Sequence, residues 1–142
     1  MGSLSRFRVI VRPAGVDDLS TLATFILPFV DDERLLPRTS SELEELIGSG
    51  FVAVAEGRII GFAALEIYSA KLAEIRSLAV SSEWQGRGVG KQLVEACLSR
   101  AHERDVLEVM AVTSSESFFR SCGFDFTLPG EKKALFFQTR DG

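Results

Sequence analysis

The sequence has few of the side chains that most often carry proton or metal chemistry. It contains one histidine, one tyrosine, one tryptophan and two cysteines, against eleven phenylalanines. A metal site built from several histidines or cysteines is therefore excluded, and a histidine-based triad could use only His102, which falls on the polar side of a predicted helix. We expect no metal, and we expect proton transfer to depend on carboxylates, hydroxyls, backbone groups and water.

The sequence also lacks the features of several other classes of protein. Two cysteines make no disulfide framework and suit a reducing, cytoplasmic environment. No apolar run approaches the roughly eighteen residues that span a bilayer, so no membrane partner is expected. The formal net charge of −4 argues against a nucleic-acid-binding surface. With 46% hydrophobic residues and no repeat or linker, residues 1–142 are expected to form a single domain.

Hydrophobic periodicity and turn signals predict the order of elements β-α-α-β-β-β-α-β-α-β. The strands are predicted over 7–11, 51–55, 59–67, 73–80, 106–112 and 134–139. Helices are predicted to begin near residues 17, 40, 89 and 116. Thr39 and Glu42 fit a capping box for the second helix, and Pro28 is expected to end or kink the first. This order predicts an α/β (α+β) fold, a mixed sheet with helices packed on it.

The segment Gln85-Gly86-Arg87-Gly88-Val89-Gly90 connects a predicted strand to a predicted helix. Glycines allow the backbone to approach a ligand closely, and a helix N-terminus offers unpaired N–H groups and a positive dipole end. The segment therefore predicts an anion site, most naturally for phosphate, with Arg87 and Lys91 adding charge at its rim. It does not fit a Walker loop, because Lys91 is followed by Gln92 rather than Ser or Thr. A tight turn that binds nothing is the alternative.

This segment matches the Q/R-x-x-G-x-G/A pattern, so the sequence resembles the GNAT N-acetyltransferase superfamily. The later segment Phe118-Phe119-Arg120-Ser121-Cys122-Gly123-Phe124 is similar to the F-Y-x-x-x-G-F segment of that family. The resemblance implies the GNAT fold, with a mixed, mostly antiparallel central sheet flanked by about four helices, and acetyl-CoA as co-substrate. The cofactor-binding residues that it implies are Leu78, Ala79, Val80, Gln85, Gly86, Arg87, Gly88, Val89, Gly90, Lys91, Phe118 and Phe119.

Segments 35–39, 73–80 and 128–135 narrow the resemblance to the acetyltransferase domain of N-acetylglutamate synthases. Those enzymes make N-acetylglutamate from glutamate and acetyl-CoA at the start of arginine biosynthesis. The resemblance implies an amino-acid N-acetyltransferase, of the short type without the kinase-like domain, with L-glutamate as acceptor. A GNAT enzyme for glutamine, another amino acid or a small amine, and a non-catalytic acyl-CoA-binding domain, remain alternatives. Phe136 and Phe137 pack in the core or in a homodimer interface, and the sequence leaves both open.

The proton chemistry that this resemblance implies is unusual in one respect. Many GNAT enzymes use a tyrosine at the position of Phe119, which cannot donate a proton, and the only tyrosine here is Tyr68 in an earlier hairpin. The resemblance implies that Glu74 is the general base and that the Thr113 hydroxyl lies near the thioester sulfur. Glu74 paired with Arg76 or solvated, and Thr113 as a helix cap, are the structural alternatives.

An acceptor with two carboxylates favours arginine side chains, whose guanidinium groups bind carboxylates through two hydrogen bonds. Arg38, Arg76 and Arg140 are the candidates, and Arg38 and Arg140 fall in segments that resemble the glutamate-binding segments of the synthases. Each could equally be a surface arginine. Ser77 is expected either to line the pocket near the acetyl group or to be a small residue fitted to the sheet.

Overall fold

The order of strands and helices follows the predicted order as far as the helix that is predicted to begin near residue 116. The computed structural model describes residues 8–126, 135 and 137–139. Its internal contacts divide the chain into two units, residues 1–112 and 113–142, and each is described by itself. The elements of the first unit are β1 (Ile10–Pro13), α1 (Leu19–Asp31), α2 (Ser40–Gly48), β2 (Gly50–Ala55), β3 (Arg58–Ile67), β4 (Leu72–Val80), α3 (Val89–Glu103) and β5 (Glu108–Met110).

The five strands form one sheet in the order β1-β2-β3-β4-β5. The first three pairings are antiparallel and the β4–β5 pairing is parallel, which confirms the mixed, mostly antiparallel sheet. β5 is shorter than the predicted strand over 106–112, because only residues 108–110 pair with β4. β1 lies at 10–13 rather than 7–11, in register with 51–54 of β2.

Side chains along each strand alternate between the two faces of the sheet, and different helices cover the two faces. On one face, α1 and α2 pack on β2 and β3, and Val52 and Phe62 are completely buried between them. The residues of α1 and α2 in this cluster are Leu22, Ile26, Leu43, Leu46 and Ile47. The side chain of Phe62 also fills the space beside Gly50, where an added Cβ would lie 2.6 Å from its ring.

The opposite face of the sheet carries α3. A Cβ at Gly61 of β3 would lie 2.9 Å from the Leu93 side chain, so the glycine lets α3 sit close to the sheet. Arg100 of α3 stacks over the ring of Phe51, with its guanidinium carbon 4.1 Å from the ring centroid. Cys97 belongs to the buried stripe of α3, as predicted, and burial raises the pKa of its thiol to about 12.

The ends of α1 and α2 test two local predictions. The capping box of α2 is confirmed, since the Thr39 side chain accepts a hydrogen bond from the Glu42 N–H (3.2 Å) and the Glu42 side chain accepts one from the Thr39 N–H (2.8 Å). Pro28 does not end α1, which continues to Asp31. In the last turn a proline removes only one helical N–H donor, and its carbonyl still accepts the N–H of Asp32.

An ion pair fixes the entry into α1. The carboxylate of Asp18, in a 3₁₀ turn over Val16–Asp18, accepts two hydrogen bonds of 2.9 Å from the Arg12 guanidinium and one of 2.8 Å from the Gly15 N–H. Asp18 is only 9% exposed. The hydrogen bonds from Arg12 hold the pKa of Asp18 below its usual value, although burial opposes this.

Replacing Asp18 with asparagine should lower the free energy of unfolding by about 2 kcal/mol at neutral pH, since it removes charge-assisted hydrogen bonds at a buried site. Because the pKa of Asp18 is depressed in the folded state, its contribution is present at neutral pH and is lost as the pH falls through that pKa. Urea unfolding of both proteins at neutral and at strongly acidic pH measures this difference. An equal gap at both pH values would contradict the ionic explanation.

The second unit contains α4 (Glu116–Ser121), close to the predicted helix over 116–122. Phe119 is buried and packs edge-on against Phe118 and Phe124, with ring centroids 5.1 and 5.2 Å apart. Of the predicted last strand, only Leu135 and 137–139 are described, and they lie in no strand. Arg140, Phe136 and segment 128–134 lie outside the described residues. No helix in the described ranges is both long and apolar enough to cross a bilayer.

Candidate active site

β4 contains a bulge at Ser77 and Leu78. Phe62 pairs with Ala79 and Ala64 pairs with Arg76. Two residues of β4, 77 and 78, therefore lie opposite a single residue of β3, 63. Ser77 has φ of +59°, a left-handed conformation that is uncommon outside glycine. A bulge bends its strand and changes the direction of the side chains that follow. It therefore sets where the predicted residues Ser77 and Leu78 point.

Over residues 75–80, the outer edge of β4 has no strand partner in the part of the chain that the structure describes. The last β4–β5 pair joins Glu74 to Met110, whereas β4 continues to Val80, and no other described strand covers its outer edge over 75–80. Such an edge presents backbone N–H and C=O groups that an extended ligand can pair with. The predicted cofactor residues Leu78, Ala79 and Val80 lie here, and the Ala79 side chain is buried, so its backbone is the part left for a ligand.

The glycine loop follows directly and adopts the conformation that its sequence predicts. Gly86 (φ +77°) and Gly88 (φ +84°) are both left-handed, and Gly88 is the N-cap of α3. The first helical hydrogen bond runs from the Gln92 N–H to the Gly88 carbonyl, so the N–H groups of residues 89–91 have no intrahelical acceptor. The loop thus presents backbone donors at the positive end of a helix dipole, as an anion site requires.

Side chains hold this loop and set its charge. Trp84 is buried, and the Arg87 guanidinium carbon lies 4.8 Å from the centroid of its ring. The Gln85 side-chain amide donates a 3.0 Å hydrogen bond to the Val80 carbonyl, which ties the loop to the end of β4. Arg87 and Lys91 are exposed, and the first turn of α3 carries no acidic residue. The side chain of Val89 is buried, so only its backbone can serve a ligand.

Glu74, the predicted base, is not paired with Arg76. Arg76 instead donates from Nη1 to Glu66 Oε1 on β3, at 2.7 Å. Glu74 Oε1 accepts a 2.6 Å hydrogen bond from the hydroxyl of Tyr68, which lies in the β3–β4 turn. The sequence reasoning missed this contact. The contact follows from the register of the β3–β4 hairpin, in which Tyr68 lies opposite Leu72. Leu72 is two residues before Glu74, so Tyr68 and Glu74 lie diagonally on the same face of the sheet.

The hydrogen bond to Glu74 changes the acidity of the tyrosine. It is the main cause that raises the pKa of Tyr68 to about 12, with a smaller contribution from burial and from the negative charges of Glu74 and Glu66. Tyr68 is 48% exposed but stays protonated throughout the neutral range. It is therefore a hydrogen-bond donor to Glu74 rather than a source of protons.

Arg38 reaches the bulge from the loop before α2. Its Nη2 lies 3.5 Å from Ser77 Oγ, so the structure brings together two of the predicted acceptor-binding residues. Its Nε is buried and has no hydrogen-bond partner among the described residues. A buried guanidinium N–H without an acceptor is costly, and a carboxylate is the acceptor that best matches its geometry.

Three of the predicted site residues that the structure describes lie in the second unit. Thr113 Oγ1 accepts a 2.8 Å hydrogen bond from the Ser115 N–H, a local turn just before α4. This contact is of the kind expected if Thr113 has a structural role at the start of the helix. Phe118 and Phe119 form the aromatic cluster described above and carry no titratable proton. A catalytic role for Thr113 and a cofactor role for Phe118 and Phe119 stay predictions.

Three features together define the class of protein. They are a mixed sheet, a bulged β4 whose outer edge has no described strand partner, and a glycine loop at the start of a long helix. Residues 16–124 match the family model described as the Acetyltransferase (GNAT) family, and the chain belongs to this family. This confirms the GNAT fold and the GNAT N-acetyltransferase class that the sequence predicted.

Individual relatives refine the comparison. An uncharacterized N-acetyltransferase of Chlorobaculum tepidum is 36% identical over 114 residues, which are 80% of this chain and 74% of the relative. An amino-acid acetyltransferase of Aeromonas salmonicida is 30% identical over 131 residues, 88% of this chain. The crystal structure of N-acetylglutamate synthase from Neisseria gonorrhoeae, complexed with coenzyme A and N-acetyl-glutamate, has a TM-score of 0.73, 27% identity, and covers 80% of this chain. This chain spans only 30% of the Aeromonas protein and 27% of the synthase chain.

Proposed function

We propose that the protein transfers the acetyl group of acetyl-CoA to the α-amine of an amino acid, with L-glutamate as the preferred acceptor. The observation that carries the proposal is Arg38, whose guanidinium reaches Ser77 at the bulge and keeps a buried Nε without a described partner. The likeness to amino-acid acetyltransferases and to a synthase solved with N-acetyl-glutamate supports the same acceptor class.

Acetyl-CoA would bind along β4 and the glycine loop. The free N–H groups of residues 89–91 would hold the pyrophosphate, and Arg87 and Lys91 would neutralise part of its charge. The amide groups of the pantetheine arm would pair with the unpaired edge of β4 at 78–80, as a strand does. The bend at Ser77 lies where this edge approaches Glu74 and Arg38, so the acetyl end would meet the acceptor there.

In the proposed reaction Glu74 takes a proton from the acceptor ammonium, directly or through water. The neutral amine attacks the thioester carbonyl, a C–N bond forms, the C–S bond breaks and CoA leaves as the thiolate, which takes up the second proton of the amine nitrogen, directly or through water. Phe119 cannot protonate that thiolate, so Thr113 is retained as a proposed hydrogen-bond donor to the sulfur. No metal takes part in this scheme.

The acceptor carboxylates would be bound by arginine. Arg76 is engaged by Glu66 at 2.7 Å, which partly neutralises it, whereas Arg38 has donors left for a ligand. We therefore propose Arg38 as the main carboxylate-binding residue, with Arg76 and Ser77 beside it and Arg140 as a second arginine.

A thiol-release assay over a panel of amino acids and small amines tests the proposal. We expect the highest kcat/KM with L-glutamate and lower values with glutamine and with cationic amines. Highest turnover with a neutral or cationic acceptor would overturn the choice of glutamate. No free CoA above the hydrolysis background with any acceptor would overturn the enzymatic proposal and favour an acyl-CoA-binding domain.

Changing Arg38 to alanine should lower kcat/KM for glutamate by about 10- to 100-fold, the effect of losing hydrogen bonds between charged groups. Arg38→Lys should recover little of this, because lysine keeps the charge but not the planar pair of donors. Acetyl-CoA affinity, measured by calorimetry, should not change. Arg34→Ala, an exposed arginine of the same loop, is the matched control, and an equal loss of activity in this variant would refute the specific role of Arg38.

A further inference from the structure

Tyr68 takes no part in the proposed acetyl transfer, yet it contacts the carboxylate proposed as the base. Its hydroxyl oxygen lies 2.6 Å from Glu74 Oε1, the short distance of a hydrogen bond to an ionised acceptor. The turn fixes the tyrosine, since the N–H groups of Tyr68 and Ser69 both donate to the Leu72 carbonyl, at 3.0 and 3.2 Å. The contact therefore joins two positions held by the same hairpin.

The charges around Glu74 make this hydrogen bond important. Glu66 lies directly opposite Glu74 in the β3–β4 ladder, so two carboxylates face each other. Arg76, two residues further along β4, is bound to Glu66. Glu108 of β5 lies in register with Leu72, and Arg38 contacts Ser77. Among the described residues, Tyr68 is thus the hydrogen-bond donor that offsets the repulsion on Glu74.

We propose that Tyr68 is a positioning residue, whose hydroxyl holds the Glu74 carboxylate by Oε1 and turns its second oxygen, Oε2, towards the acceptor amine. The proposal rests on the proposed function, in which Glu74 is the base. A general base must lie within hydrogen-bond reach of the proton that it takes, so a fixed orientation of the carboxylate raises the rate of proton transfer. Tyr68 can fill this role because it stays protonated at neutral pH.

The variant Tyr68→Phe removes the hydroxyl and keeps the ring. We expect kcat for the acceptor to fall about tenfold, because a misplaced catalytic group slows the chemical step, while KM for the acceptor and for acetyl-CoA should change little. The matched control is Ser69→Ala, which removes a hydroxyl that accepts the Lys71 N–H in the same turn and should leave kcat unchanged.

A second measurement does not depend on turnover. Carbon-13 NMR of the glutamate carboxyl groups at neutral pH, without acetyl-CoA, should show a different chemical shift for the Glu74 carboxyl carbon in Tyr68→Phe than in the wild type, with Glu74→Gln used to assign that signal. An unchanged Glu74 signal, an unchanged kcat, or the same loss of kcat in Ser69→Ala would each overturn the proposal.

The outcomes also separate this proposal from the one on which it rests. If Glu74→Gln keeps full activity, Glu74 is not the base, and the base role of Glu74 and the positioning role of Tyr68 fail together while acetyl transfer itself stands. If Glu74→Gln is inactive while Tyr68→Phe keeps the wild-type kcat and Glu74 signal, only the positioning role of Tyr68 fails.

Discussion

Replacing Glu74 with glutamine is expected to lower kcat/KM for the acceptor amino acid by about 10²–10⁴, the usual contribution of a positioned general base. The amide keeps the shape of the side chain and can still contact Tyr68, but it cannot take a proton. The loss should be largest at neutral pH and below, where the amine arrives protonated, and smaller at alkaline pH, where some of the amine is already neutral.

The pH dependence distinguishes a base from a structural carboxylate. Kinetics at saturating acetyl-CoA, from mildly acidic to mildly alkaline pH, would be compared with those of Glu56→Gln, a carboxylate in the β2–β3 turn at the other hairpin of the same sheet. The control should behave as the wild type does. A rate for Glu74→Gln that equals the wild-type rate at every pH would remove Glu74 from the mechanism.

Placing tryptophan at Gly88 should weaken acetyl-CoA binding by about a hundredfold, because the loss of two charge-assisted hydrogen bonds costs about 3 kcal/mol. A Cβ at Gly88 would meet no other atom within 4 Å, so the ring would occupy open space beside the loop rather than clash with the protein. That space is where the pyrophosphate is proposed to bind. Calorimetric titration with acetyl-CoA measures the effect.

The strain of a left-handed residue needs its own control, since Gly88 has φ of +84°. Gly57, in the β2–β3 turn, has φ of +73° and equally open surroundings. Gly57→Trp therefore introduces similar backbone strain far along the sequence from the loop, and it should bind acetyl-CoA as the wild type does. An unchanged affinity in Gly88→Trp, or an equal loss in Gly57→Trp, would refute the assignment of the loop.

The parts of the structure that depend on neighbouring residues in the sequence were predictable. The capping box of Thr39 and Glu42 and the glycine-rich start of α3 are local, because each acts through hydrogen bonds within a few residues. The buried stripe of α3 follows from helical spacing alone. These signals were sufficient for the element order as far as α4 and for the conformation of the glycine loop.

The parts that depend on strand register were not predictable in the same way. Nothing in its residue type marks Ser77 for a left-handed bulge, since that conformation follows from how β4 pairs with β3. The Tyr68–Glu74 contact also needs the register, and without it pairing with Arg76 and exposure to solvent were the structural alternatives for Glu74. Pro28 was predicted to end or kink α1, and it does not end the helix because it removes only one hydrogen bond near the helix end.

The free outer edge of β4 also affects how the protein behaves without a ligand. Exposed N–H and C=O groups in a row are a template for any extended chain, and a strand from a second copy fits that template as well as a pantetheine arm does. The same row of backbone groups that suits this edge for the co-substrate leaves it open to edge-to-edge aggregation. Saturating co-substrate would then act as a solubility agent, because it occupies the hydrogen-bonding groups through which copies of the chain would otherwise associate.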